Sequence, residues 1–354
     1  MNQAGKAFTA PDCSGTDLAL GLPATFNSNN QISNNPAAIV PGLLINSNVA
    51  QIQSTIFTAS SWYNALQVAV AKRMSHGFQV GGNFTWGKSI DESSSSFAGD
   101  NYSNNPSAVI PWWDPSSIRG LSDFNVTRNV VINGLWQVPT PASFAGPAGW
   151  IVRGWGLGAV FEASDGIPLW PLSGTDGDAL GMLNGGPYDI PSYVSGCALT
   201  NPSSGRSGGL QYINPSCYVV AQAPSQAFAN TNCDQNPPFG LKGAKVPLAS
   251  LGVSPLTCFN LLGNLGRNTV IGPGLLNVDY SMVKDNHIRA LGETFDIQFR
   301  AEFFNITNRV NYAPPIANNL KSLNADGTAA SNFGVLTKVQ VPMREIQFAL
   351  KMLW

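Results

Sequence analysis

The chain ends Arg344-Glu345-Ile346-Gln347-Phe348-Ala349-Leu350-Lys351-Met352-Leu353-Trp354, an alternation of apolar and mostly polar side chains that runs to a terminal aromatic. Successive side chains of a strand point to opposite faces, so Ile346, Phe348, Leu350, Met352 and Trp354 share one face while Gln347, Ala349 and Lys351 share the other. A soluble domain seldom carries its largest apolar residues to the end of the chain, where termini fray into water. A tilted strand of about 9 to 11 residues is, in contrast, what crosses a bilayer in a barrel.

The same period recurs upstream. In residues 62–88, Leu66, Val68 and Val70 alternate with Gln67, Ala69 and Ala71, and Phe78, Val80, Phe84 and Trp86 with Gln79, Gly81, Asn83 and Thr85. A tight turn is expected at Met74, Ser75, His76 and Gly77. A second pair sets Val126, Val130, Ile132 and Trp136 before Trp155, Leu157, Ala159 and Phe161, joined by 139–149. A third sets Leu276, Val278, Tyr280 and Met282 before Phe295, Ile297, Phe299, Ala301 and Phe303, joined by 289–293. With the terminal strand this makes about seven strands whose links alternate between short and long. Short turns on one side and long loops on the other are the pattern of an outer-membrane barrel. The expected fold is therefore all-β: an antiparallel transmembrane β-barrel segment with long extracellular loops. Residues 1–61 form a loop or partial amino-terminal segment and 62–354 the barrel part, with the longest loop at 165–274.

Composition agrees. Charged residues are 11% of the chain, against roughly 25% in soluble domains, because Asn, Ser, Thr, Gln and Gly carry the polar share. A formal net charge of -1 offers nothing to attract nucleic acid. No apolar run is long enough for a transmembrane helix, and no apolar segment of a secretory signal follows Met1.

Chemistry-bearing motifs are sparse. The two histidines, His76 and His287, fall at or near turns, and the sequence lacks Gly-x-Ser-x-Gly. No catalytic residue, metal site or cofactor is expected. Of the five cysteines, Cys197, Cys217, Cys233 and Cys258 share one stretch without a C-x-x-C spacing. They are compatible with two loop disulfides in any of three pairings, or with free thiols.

Parity places Arg300 and Glu302 on the polar, lumen-facing side together with Glu162, Asp279, Asn83, Asn133, Gln347 and Lys351. Arg300, Glu302, Glu162 and Asp279 are candidates for contact with a solute; bracing of the barrel wall by ion pairs accounts for them equally well. Lys72, Lys88, Arg128 and Lys284 have outward parity near strand ends, suited to a headgroup or lipopolysaccharide interface. Trp62, Trp86, Trp136, Trp155 and Trp354 fit an aromatic girdle. The loop aromatics Trp112, Trp113, Trp170, Tyr188, Tyr193 and Tyr212 are candidates for stacking on a ligand or for pinning loops together.

Several motifs resemble one family. Tyr63-Asn64-Ala65-Leu66-Gln67-Val68, His76-Gly77-Phe78, Thr85-Trp86-Gly87-Lys88-Ser89-Ile90-Asp91, Gly263-Asn264-Leu265-Gly266-Arg267-Asn268, Asn277-Val278-Asp279 and Phe299-Arg300-Ala301-Glu302-Phe303-Phe304-Asn305-Ile306-Thr307-Asn308 are similar to the barrel of TonB-dependent outer-membrane receptors of the Oar-like group, which carry a carboxypeptidase-regulatory-like domain. The resemblance implies a location in the outer membrane of a Gram-negative-type bacterium and transport of a large solute. Its implied partners are membrane lipid and lipopolysaccharide, the barrel assembly machinery, and TonB through a plug. Phe348, Leu350, Met352 and Trp354 resemble the terminal signal by which such barrels are recognised for insertion. Family members have a signal peptide, a plug and a barrel of about 22 strands. The expectation is thus the carboxy-terminal part of such a receptor, without plug or signal peptide. The competing expectation is a secreted soluble β-sandwich that binds carbohydrate or acts as an adhesin.

Overall fold

The structure, a computed structural model, describes residues 25–26, 32–33, 59–94, 116, 119–140, 146–174, 190–201, 210–233, 254–259, 261, 263–288, 295–315, 320–324 and 326–353. Cys13, Trp112, Trp113, Tyr188 and Trp354 lie outside them.

Seven long strands form one sheet: β1 (Ser61–Ser75), β2 (Phe78–Asp91), β3 (Arg128–Gln137), β4 (Trp155–Ser164), β5 (Leu275–His287), β6 (Asp296–Phe304) and β7 (Glu345–Leu353). Each pairs antiparallel with its neighbour in sequence, so the sheet is a plain meander with β1 and β7 at its edges. The β1–β2 turn is held by His76 and Gly77 at φ 52° and 77°, the doubly left-handed pair that matches strand twist. A Cβ at Gly77 would stand 2.6 Å from the Gln137 carbonyl oxygen, so glycine is required there.

Register turns seven separate alternations into one two-faced wall. Phe78, Trp136, Leu157, Met282, Ala301 and Phe348 lie in one cross-strand row, and Val80, Gly134, Ala159, Tyr280, Phe303 and Ile346 in another on the same side. Between them runs the opposite face, with Gln79, Leu135, Gly158, Ser281, Glu302 and Gln347 in register. The apolar face carries aromatic pairs, Phe299 stacked on Phe348 at 6.1 Å and Tyr280 tilted against Phe303 at 6.0 Å, each contributing roughly 0.2–1 kcal/mol.

Burial is inverted relative to a water-soluble sheet. Every residue of β1 and β7 is exposed, and among the described residues Ala301 alone of the long strands contributes a buried apolar side chain. Leu66, Trp86, Phe348 and Leu350 stand in the open. No second sheet covers this face among the described residues. The sandwich expectation is therefore overturned, since an uncovered apolar face of this breadth is compatible with lipid and not with water.

The buried core lies in the long links instead. Leu169, Trp170, Ile213, Cys217, Tyr218, Leu265, Val270, Leu320 and Phe333 form one cluster drawn from links β4–β5 and β6–β7. Tyr218 meets Phe333 edge-on at 5.0 Å. Leu172–Ser173 pairs in parallel with Lys321–Leu323, and the Ser322 hydroxyl donates to the Leu172 carbonyl. Two disulfides, Cys197–Cys217 and Cys233–Cys258, choose one of the three pairings open to the sequence. Gly334, at φ 69°, accepts from the amides of Tyr212 and Ile213, and a Cβ there would fall 2.4 Å from that of Ile213.

Two boundaries differ from the sequence reading. The third strand begins at Arg128, because the Asn125 carboxamide accepts from the Ser89 amide and the preceding residues form a turn. The β3–β4 link extends over 138–154 and contains a helix, α1 (Gly146–Val152).

A charge on the apolar face belongs at the centre of the bilayer, whereas the adjoining face is wet. Ile132→Arg should cost about 2–4 kcal/mol in urea unfolding from phospholipid vesicles, while Asn133→Lys changes stability far less. Reduction of the two disulfides should lower the loop layer's stability by about 3 kcal/mol for each bridge and leave the sheet's circular-dichroism signal intact.

Candidate functional site: the lumen wall and its loop cap

Alternation on β2 to β7 brings the polar candidates to one face. Glu162 lies opposite Asn277 and Val131, Asp279 opposite Val160, and Arg300 opposite Val283 and Ala349. All share the side of Asn83, Asn133, Gln347 and Lys351, as parity requires. At mid-wall the face is concave, a depression of about 380 Å³ lined by Gln79, Asn133, Asp279, Ser281, Glu302 and Phe304.

Arg300 and Glu302 have separate partners. The Arg300 Nε donates to Gln298 Oε1 at 2.6 Å, and Gln298 Nε2 donates to Asp285 Oδ1 at 2.7 Å. Glu302 accepts from the Gln347 side chain across the β6–β7 pair. Asp279 Oδ1 accepts from Asn277 Nδ2 at 3.0 Å and from the Asn305 amide at 2.8 Å, just past the end of β6. Hydrogen-bonded ladders thus orient these carboxylates along the wall, where they present acceptors to whatever fills the lumen.

The outward-parity cations occupy strand ends. Lys72 Nζ donates to the carbonyls of Ser75 and Phe78 and lies 5.1 Å from the Phe78 ring. Lys284 Nζ donates to the Arg153 carbonyl at 2.6 Å and lies 5.3 Å from the Trp155 ring. At the opposite end Arg128 forks onto both Asp165 oxygens at 2.8 Å, and Arg119 stacks 4.0 Å from the Trp62 ring. Lys88 is exposed opposite Asn64.

Loop aromatics take the pinning role where they are described. Trp170 is 1% exposed within the loop core, which leaves no surface for stacking on a ligand. The Tyr193 hydroxyl donates to the Cys197 carbonyl and that of Tyr212 to the Ile271 carbonyl. Burial pushes the Tyr218 and Tyr212 phenols above their ordinary range, so both stay protonated in this layer. His76 bonds to Ser75 Oγ in the first turn and His287 to Asp296 across the β5–β6 end.

One cluster escaped the sequence reading. Arg267 reaches from link β4–β5 to the end of β2, where Nη1 meets the Asp91 carboxylate and carbonyl while Nη2 meets Asp123 Oδ1 at 2.9 Å and Ser94 Oγ at 2.6 Å. Asn268 Nδ2 adds bonds to Asp123 Oδ1 and to the Leu121 carbonyl, each at 2.6 Å. The three charged side chains are at most 4% exposed. Gly120 passes so close that a Cβ would sit 2.7 Å from the Arg267 carbonyl oxygen. This staple joins two long links and the rim of the wall across 176 residues of sequence. Its residues stand in the Asp91-ending and Arg267-Asn268 motifs quoted above, but local pattern gives no sign that those motifs meet.

The family model described as an outer membrane beta barrel domain matches residues 1–347. No curated protein and no solved structure is significantly similar to the chain. The family match places the protein in the outer membrane, in agreement with the two-faced wall.

Removal of the Arg267 fork would strand two buried carboxylates. Arg267→Ala should destabilise the loop layer by about 3–5 kcal/mol, read as faster proteolysis of the 165–274 link in the folded protein. Arg267→Lys should rescue it poorly, because a single ammonium cannot serve Asp91, Asp123 and Ser94 in one plane.

Proposed function

We propose that this chain, which belongs to the outer membrane beta barrel domain family, supplies wall strands and capture loops of a TonB-dependent, Oar-like receptor that admits a large solute. The observation that carries the reading is the pairing of a two-faced transmembrane wall with an internally cored, disulfide-braced layer over one end. A plain diffusion pore has little use for so much folded loop, whereas a receptor must present a shaped surface to its solute before passage.

Strand parity supports a wall larger than the described sheet. In a meander of seven strands the two edge strands run in the same direction. Antiparallel closure therefore takes an odd number of further strands, and an unpaired edge in hydrocarbon leaves amides and carbonyls without partners at several kcal/mol each. Large receptors of about 22 strands meet this requirement. The motifs that resemble that group lie at load points of the wall: Asp91 and Arg267 in the staple, Asp279 and Asn305 at the β5–β6 rim.

In this reading the loop layer faces the exterior and meets lipopolysaccharide, and the strand ends opposite face the periplasm. Asp279, Glu302, Arg300 and Glu162 contact solute or plug from the lumen wall. The barrel assembly machinery reads the β7 face that carries Phe348, Leu350 and Met352. TonB acts through a plug that this wall surrounds, and the chain performs no catalytic step of its own.

Export of the chain behind a signal peptide, followed by fractionation and solute-uptake assays in cells with and without TonB, tests this. The expected result is outer-membrane association without TonB-dependent uptake by these strands alone, uptake returning when plug and complementary strands are supplied. Robust TonB-dependent uptake by this chain alone would overturn the assignment.

A further inference from the structure

The β3–β4 link was expected to be a plain connection, yet it folds into α1, whose sequence Gly-Pro-Ala-Gly-Trp-Ile-Val ends in three exposed apolar side chains. Trp150 is 54% exposed, Ile151 62% and Val152 38%. Water would oppose such an arrangement unless something covers it.

The helix is fastened to a defined place. The Trp155 indole donates to the Ile151 carbonyl at 2.9 Å, Lys284 Nζ to the Arg153 carbonyl at 2.6 Å, and the Asp285 amide to the Gly154 carbonyl at 2.9 Å. Gly154, at φ 77°, makes the reversal feasible, since a Cβ there would lie 2.2 Å from the Asp285 carbonyl oxygen. Trp155 and Lys284 pair with each other and share a row with Phe299 and Leu350, so both belong to the lipid-facing side. Trp136, Leu157 and Met282 stand in the next row. The exposed end of α1 therefore continues the lipid-facing band at its periplasmic margin, and that continuity identifies what covers it.

We infer that α1 is an interfacial anchor, with Trp150, Ile151 and Val152 seated in the headgroup and upper acyl layer of the phospholipid leaflet on the turn side of the outer membrane. A short helix whose exposed side chains are all apolar lies in such a plane with those side chains sunk about 5–10 Å toward the acyl chains. Indoles such as Trp150 and Trp155 favour this depth because one edge is apolar and the other donates a hydrogen bond. Lys72, exposed and drawn to the Ser75 and Phe78 carbonyls at this end of the strands, places a cation at the height of lipid phosphates. The anchor fixes how deep the wall sits and prevents the strands from sliding along the bilayer normal.

The inference rests on insertion of the wall in a bilayer, and the test separates the two. Spin labels are attached to Ile151→Cys, Phe348→Cys and Lys338→Cys in a Cys13→Ser background, with the full chain in vesicles of phosphatidylethanolamine and phosphatidylglycerol. Collision rates with oxygen and with a water-soluble nickel chelate are then compared. The expected result is an oxygen-to-nickel ratio at Ile151 several-fold above that at Lys338 in the loop layer and below that at Phe348. Nickel-dominated collisions at Ile151 with oxygen-dominated collisions at Phe348 would overturn the anchor while leaving the wall in lipid. Suppression of both collision partners at Ile151 would overturn it as well, by showing a protein cover. Nickel-dominated collisions at both sites would overturn insertion and the anchor together.

Discussion

The structure depends on one constraint, that a backbone lying in hydrocarbon must find all of its hydrogen-bond partners in other strands. Antiparallel pairing of neighbours meets it for the interior of the sheet, and the register that pairing imposes then sorts side chains. Residues opposite each other share a face, so a single slip between β5 and β6 would carry Phe299, Ala301 and Phe303 into the lumen and Arg300 and Glu302 into lipid. Polar and apolar alternation thus selects one register, and that register builds both the lipid band and the lumen wall.

A sheet that faces lipid on one side and a lumen on the other gains little from a buried core of its own. The hydrophobic effect acts instead on the links, where water is present on the outside. Trp170, Ile213, Tyr218 and Phe333 are each at most 2% exposed, and Cys197–Cys217 and Cys233–Cys258 restrict the unfolded forms of the same layer. The layer is held on the wall by the Arg267 staple, whose partners Asp91 and Asp123 come from the end of β2 and the link that follows it. Charges that are scarce in the chain are used where they fasten one part to another.

The strands and their faces were legible because their signal is local. Eight or ten residues of β2 or β6 suffice to show the period, and short links between neighbours leave one pairing partner. The loop layer was not legible, for its core residues are single apolar side chains scattered among Gly, Pro, Asn and Ser. Trp170 stayed open between ligand contact and loop pin because nothing near it in sequence reveals the cluster of Leu169, Tyr218 and Phe333 to which it belongs. The α1 helix was hidden for another reason: Gly146, Pro147 and Gly149 speak for a turn, and bonds from Trp155, Lys284 and the Asp285 amide to carbonyls of Ile151, Arg153 and Gly154 fasten the segment from distant strands. Arg300 and Glu302 were placed on the correct face, but their bonds to Gln298 and Gln347 depend on rotamers and on the β6–β7 register.

By itself the sequence determined that this protein builds a two-faced antiparallel wall with short turns at one end and long links at the other, since the strand period and link lengths are written residue by residue. Tertiary structure alone decided that the described parts of links β4–β5 and β6–β7 share one buried cluster, which cysteines brace, that Arg267 meets Asp91 and Asp123, and that α1 lies against the lipid-facing ends of β4 and β5. Those outcomes come from contacts between segments far apart in the chain, whose energy depends on burial and geometry that no local pattern contains.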